Sequence, residues 1–181
     1  MAKPASTRDQ LLDAAIRLVL DQGGAALTLD AVARLAGVSK GGLLYHFPSK
    51  DALIVGLIDR LCAEFDAALE AELARAEGPP AGRWLRTYIR LCFAPSDREL
   101  ALSAALLAAG AFNPELLTPL RERFAAWQRR AESDVVDPAL ATALRLAADG
   151  LWFADLAGLA PLSPERRAAV RDTLLRLAQG A

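Results

Sequence analysis

The sequence predicts an all-α protein, and three observations carry that prediction. Apolar residues recur every three or four positions, and no segment alternates apolar with polar residues as a half-buried strand would. The breaks fall on helix punctuation: Gly23-Gly24, Gly78-Pro79-Pro80, and the cap-then-proline pairs Asp137-Pro138 and Ser163-Pro164. Leu53, Leu57, Leu61, Phe65, Leu69 and Leu73 repeat every four residues, with Gly56 alone interrupting the interior of that helix. The segments add up to about nine helices, arranged as a three-helix head (1–50) continuous with a helical body (51–181).

The first helix runs from Thr7 to Gln22, with Leu11, Leu12, Ala15, Ile16, Val19 and Leu20 at helical spacing. Alone it cannot bury that stripe. Arg8 near its start is either solvated or within reach of a nucleic-acid backbone. A second helix opens at Thr28, a good N-cap, with Asp30 in the first turn where negative charge is favoured. Leu27 and Val32 occupy the positions of a hydrophobic staple. Gly37 stands where a left-handed residue ends a helix, Val38 plugs the corner, and Ser39 caps a third helix. Two short helices around a glycine turn make a helix-turn-helix. The third helix ends at Phe47 because Pro48 disfavours helix in the residue before it. Ser49 caps the long fourth helix and places Lys50 at its first position. The helix dipole disfavours a cation there, so an external anion such as phosphate explains Lys50 better than folding does.

The body reads as helices on short loops. Trp84, Leu85, Tyr88, Ile89 and Cys92 share a face that ends before Pro95. Ser96 to Glu99 is a capping box opening a helix that should end at Gly110. A short turn at Pro114 precedes a helix capped by Thr118, with Pro119 at its first position, through Arg130. Pro138 to about Leu159 is apolar on nearly every side, its charges being Arg145, Asp149 and Asp155. Such a helix is buried all round. Either the core of a monomer or a second subunit must cover it, and a body of this size favours the second subunit. The expected interface is Leu144, Ala148, Leu151, Asp155, Gly158 and, from the last helix (Pro164 to near Gly180), Leu174. Asp155, if buried, needs a partner: Arg166 or Arg171, from either subunit, or a ligand.

Charge and composition narrow the function. The chain has 181 residues and a formal net charge of −1. Within residues 1–50, six cations (Lys3, Arg8, Arg17, Arg34, Lys40, Lys50) face four aspartates, net +2, which leaves −3 for the rest. A mildly basic head on an acidic body suits nucleic-acid binding without strong non-specific attachment. The first seven residues carry no signal-peptide pattern, and Ala101 to Phe112 is about half the length of a membrane span. Cys62 and Cys92 have no paired spacing and read as buried thiols of a cytoplasmic protein. No catalytic constellation, metal-ligand cluster or phosphate loop is present in the sequence, and the one histidine is His46. An enzyme and a cofactor are therefore not expected.

The stretch with Thr28, then Ala36-Gly37-Val38-Ser39, Gly41, His46-Phe47, Ser49-Lys50 and Leu53 resembles the DNA-binding head of TetR (tetracycline-repressor-type) regulators. That pattern is long and specific. One position departs: the family usually has Tyr two residues before the His, where this chain has Leu44, with Tyr45 one place on. One residue is about 100° around a helix, so Tyr45 cannot simply take over the usual phosphate contact. The resemblance implies a homodimer that binds a pseudo-palindromic double-stranded operator and is released by an apolar small molecule. The alternatives are an activator without small-molecule control, or a helical module that docks on protein. The DNA-facing set is Thr28, Ser39, Lys40, Gly41, Gly42, Leu43, Tyr45, His46 and Lys50. Thr28, His46 and Lys50, with Tyr45 as a further candidate, would hold phosphates, while Lys40 and whichever of Leu43 and Tyr45 faces the bases would read sequence. Gly42 stands where the family commonly has Ser or Thr. By the same resemblance a ligand pocket lies in the body, lined by Leu61, Phe65, Tyr88, Ile89, Phe93, Phe124, Trp127 and Trp152; the alternative is that these side chains fill a closed core.

Overall fold

The computed structural model describes residues 6–135 and 137–179. Among the described residues run nine α-helices and no strand: α1 (Thr7–Gln22), α2 (Leu29–Ala36), α3 (Lys40–His46), α4 (Lys50–Arg75), α5 (Arg83–Cys92), α6 (Asp97–Phe112), α7 (Thr118–Ser133), α8 (Pro138–Ala157) and α9 (Pro164–Leu177). Short 3-10 turns occupy Gly24–Ala26 and Pro114–Leu117. Lys3, counted in the charge of the head, and Gly180, the expected end of the last helix, lie outside the described residues. None of the described helices is long and apolar enough to cross a membrane.

Two compact units form. The first holds the described residues up to Cys62 together with Ala101–Leu120, and the second holds Ala63–Leu100 and the described residues from Arg121 onward. This packing division differs from a boundary at residue 50. Leu53, Ile54, Leu57 and Ile58 of α4, with Leu102 and Leu106 of α6, are buried in the same core as Leu11, Leu12, Val32 and Leu43 of the head. Three short helices cannot close a core of their own, so α4 and α6 complete it.

In the first unit local rules set the helix ends. Thr28 accepts from the Ala31 amide at 3.2 Å and Ser39 from the Gly42 amide at 3.1 Å. Gly37 is left-handed at φ 71°, and the bonds Gly37 N–H to Arg34 O and Val38 N–H to Ala33 O close a Schellman motif. Gly110 does not end α6. It is buried inside that helix, and a Cβ there would sit 2.4 Å from Leu117 Cγ, so glycine is needed for a close approach. Thr118 is likewise not a cap: its backbone is already helical, because the turn at Pro114–Leu117 feeds straight into α7.

In the second unit α5 is the centre. Trp84, Leu85, Tyr88, Ile89 and Cys92 are buried against Leu69 of α4, Trp127 and Ala131 of α7, Ala141, Leu144 and Ala148 of α8, and Leu174 of α9. Gly82 gives α5 no side-chain cap, and Asp134 serves instead, accepting from the Leu85 amide at 3.1 Å. Arg86, 4% exposed, donates to the carbonyls of Pro79, Ala81 and Ala178, tying the α4–α5 loop to the end of α9.

Cys62 and Cys92 are both buried. Burial pushes the Cys92 thiol far above its ordinary range, with the Asp149 carboxylate adding to the shift. Neither thiol is expected to react with an aromatic disulfide reagent in the native protein at pH 8, and both should react on unfolding. Rapid native labelling of Cys92 would show that this core opens without global unfolding.

Candidate nucleic-acid interface and effector region

The helix-turn-helix is held from below and open above. Leu43 and Phe47 are 0% and 2% exposed and anchor α3 in the first core. Ser39, Lys40, Gly41, Leu44 and Tyr45 lie on the exposed side, with His46 half-buried. Tyr45 is 86% exposed and meets the His46 ring edge-on at 5.1 Å. A Cβ on Gly41 would meet nothing within 4 Å, so backbone is bare there. Lys40 Nζ forms an exposed ion pair with Asp30 at 3.0 Å. Ser49 caps α4 through the Ala52 amide at 3.0 Å, which leaves Lys50 exposed on its first turn. Arg8 is exposed, and its guanidinium stacks over the Phe47 ring at 5.3 Å.

The second unit contains a ring cluster over a polar floor. Phe65 packs on Trp127 at 4.8 Å and on Tyr88 at 5.5 Å, and Phe124 meets Trp127 at 5.0 Å. The Tyr88 hydroxyl donates to Asp149 at 2.6 Å, and Arg145 pairs with Asp149 and donates through Nε to Gln128. Trp127 Nε1 donates to Asp66 at 2.8 Å. Burial pushes the Asp149 carboxyl above its ordinary range, while the Tyr88 hydroxyl and Arg145 guanidinium hold it back. Tyr88 and Ile89 are 1% and 0% exposed, whereas Phe65 and Phe124 are half-buried. A cavity of about 360 Å³ lies elsewhere in this unit, where Phe93, Ala94 and Pro95 face Ala154, Asp155 and Arg167.

Residues 11–57 match the model of the bacterial regulatory proteins of the tetR family, and residues 82–179 match that of the tetracyclin repressor-like C-terminal domain. The chain belongs to the TetR family. It is a DNA-binding transcriptional regulator, not an enzyme. Among TetR relatives it is similar to the HTH-type transcriptional regulator EthR of Mycobacterium tuberculosis, 30% identical over 97% of this chain and 88% of that one. BetI of Rhizobium meliloti is 31% identical over 69% of this chain and 54% of its own. The multidrug binding protein EbrR, solved in complex with ethidium, superposes with a TM-score of 0.69 at 26% identity, covering 95% of this chain and 98% of that one. A TetR-family regulator from Rhodococcus sp. shares the fold, with TM-score 0.73 at 21% identity and coverage of 97% and 98%.

Within this TetR fold several expected site residues fall in other places. Leu43 is buried and cannot reach a groove, which leaves Tyr45 as the outward residue of that pair. Leu61 packs against the first core and not with the rings, and Trp152 is half-buried outside the ring cluster. Leu144, Ala148 and Leu174 are 3%, 0% and 9% exposed, facing the chain's own core, so a partner subunit cannot touch them directly. Leu151 is partly buried against the same core. Gly158 is the left-handed cap of α8, with Leu159 N–H bonded to Ala154 O. Asp155 pairs with Arg167 at 2.7 Å, not with Arg166 or Arg171, because Arg167 is on the inward side of α9 while Arg166 and Arg171 are exposed. Sequence reasoning missed the Lys40–Asp30 pair and the Tyr88–Asp149–Arg145 network. The three charges in an otherwise apolar helix were the one signal for the network.

Proposed function

We propose that the protein is a cytoplasmic homodimer that represses transcription from a pseudo-palindromic operator and is released by a small, largely apolar molecule. Residues 1–50 serve DNA binding, and 51–181 serve effector binding and dimerisation. One observation carries the DNA half: α3 is anchored by Leu43 and Phe47 while Gly41 and Tyr45 are exposed on its outer side, with Lys40 exposed there in its ion pair with Asp30. Lys40 and Tyr45 read base edges, and Thr28, Ser39, His46 and Lys50 hold phosphates and set register. The bare backbone at Gly41 allows close approach without adding a side-chain code. The effector half is supported by EbrR, whose complexes include ethidium and malachite green. Helix α4 supplies both Leu57 to the first core and Leu69 to the second, which gives an effector a continuous element to act on.

Dimerisation rests on the other side of α8. Ala143, Leu146, Ala147, Gly150, Phe153 and Ala157 are exposed at helical spacing, with Leu146 54% and Phe153 51% exposed. This stripe supports the two-subunit reading from a face that the sequence alone did not single out.

Selection of bound sites from random DNA by the purified protein tests the reading, with an inverted repeat as the expected product. On the selected site, Lys50→Ala should weaken binding to all sequences alike and flatten the salt dependence by about one phosphate. Lys40→Ala should cost about 1–3 kcal/mol on the preferred site and relax preference at one base pair. Unchanged salt slope and unchanged preference in both variants would remove α3 from the groove.

A further inference from the structure

We propose that the cavity at the C-terminal end of α5 is a binding site for a compact, mostly apolar organic amine, with the Asp155 carboxylate as acceptor for its ammonium group. The cavity is an open cleft of about 360 Å³, a volume within the range of small-molecule pockets. Its walls are apolar at Phe93, Pro95, Leu100 and Pro161, and Asp155 and Arg167 are the charged residues that line it. That combination of apolar walls and a few converging polar groups is what orients a small ligand.

The hydrogen bonding of the pair assigns the ligand's charge. Arg167 donates through Nε and Nη2 to the Phe93 carbonyl at 3.0 and 2.9 Å, and through Nη1 to Asp155. Both Asp155 oxygens are served by that one nitrogen, at 3.0 and 2.7 Å, and among the described residues no other donor reaches them. A carboxylate accepts about four hydrogen bonds, so its unused capacity is for donors. The guanidinium is shared already between a carboxylate and a carbonyl, and its face covers the Phe93 ring at 5.6 Å. An incoming acid would have to compete with Asp155 for it. An incoming ammonium finds open lone pairs on a side chain that is 16% exposed and held in place. The backbone beside the cavity is also unusual. Ala160, next to Pro161, has φ 43°, the one positive φ outside glycine among the described residues.

The inference deepens the effector reading and rests on it only in supposing that the second unit takes a small molecule. Its test contains no DNA, so failure here and failure of site selection are separate results. The full chain is titrated calorimetrically with benzylammonium, benzyl alcohol and phenylacetate. Benzylammonium should bind saturably and at least about tenfold more tightly than the other two. Asp155→Asn should weaken it by about tenfold or more. Ala94→Trp, at an exposed position on the cavity wall, should abolish binding by filling the space, and this variant decides if Asp155→Asn fails to fold. No saturable binding at millimolar benzylammonium, equal or tighter binding of phenylacetate, or undiminished binding in Ala94→Trp each overturns the proposal.

Discussion

Replacing Asp149 by alanine is expected to cost about 3–5 kcal/mol of folding stability, because it strands a buried cation. Arg145 is 8% exposed, and its guanidinium is matched by Asp149 and by the Gln128 side-chain carbonyl. The Tyr88 hydroxyl, in a residue 1% exposed, has its hydrogen bond to the same carboxylate. Alanine removes the partner of both groups, and water has little access to replace it. Tyr88→Phe, in contrast, leaves the Arg145–Asp149 pair intact and should cost about 1.5–3 kcal/mol, the worth of one hydrogen bond to a charged group. The pair Arg145→Met with Asp149→Leu should recover the share of the loss that belongs to the stranded cation, but not the share of the Tyr88 hydroxyl, which still lacks its acceptor. Urea denaturation followed by helical circular dichroism measures all four proteins. A loss below about 1 kcal/mol for Asp149→Ala would show that Arg145 finds solvent or another acceptor, and that the network does not hold α5 to α8.

What was legible in the sequence is what short-range chemistry decides. Thr28, Ser39 and Ser49 cap helices through amides three residues on, and Gly37 ends α2 through two bonds within the same turn. Each feature needs only its neighbours, so the helix-turn-helix could be read complete. Its outward face could not, because Leu43 and Tyr45 are two positions apart and both are large and apolar in body. Only the packing of Leu43 on the first core separates them. Helix α8 poses the same difficulty in stronger form. Apolar residues occupy nearly every side, so periodicity does not tell Leu144 and Ala148, which are buried, from Leu146 and Phe153, which are exposed. Gly110 was misread as a stop for a related reason: the residue that needs its missing Cβ is Leu117, beyond the helix end. The partner of Asp155 depended on which of three nearby arginines faced inward, a fact of α9 packing and not of spacing from Asp155. The cavity beside Phe93 was not legible either, since it is defined by the space left where α5, α8 and α9 end or begin.

Phe153→Glu is expected to convert the protein to a folded monomer and lower operator affinity by about 10²–10⁴-fold. The side chain is 51% exposed on α8, beside Leu146 at 54%, and it makes no part of the second core. Folding should therefore survive the change. In a two-fold dimer the same stripe meets itself, so one substitution places two carboxylates in a single apolar contact. Both would be taken from water without a partner, a cost the interface cannot offset. Each freed head would retain Lys40, Tyr45 and Lys50, and non-specific binding should change little. What disappears is the linkage that makes the second half-site an intramolecular event. Leu151→Glu makes the contrasting case: Leu151 packs partly into the second core, and a carboxylate there should unfold the unit instead of dissociating it. Sedimentation velocity and operator titration at fixed salt separate the two outcomes. If Phe153→Glu remains a dimer with undiminished operator affinity, the subunits do not meet on this stripe. Its exposed apolar side chains would then require a different partner.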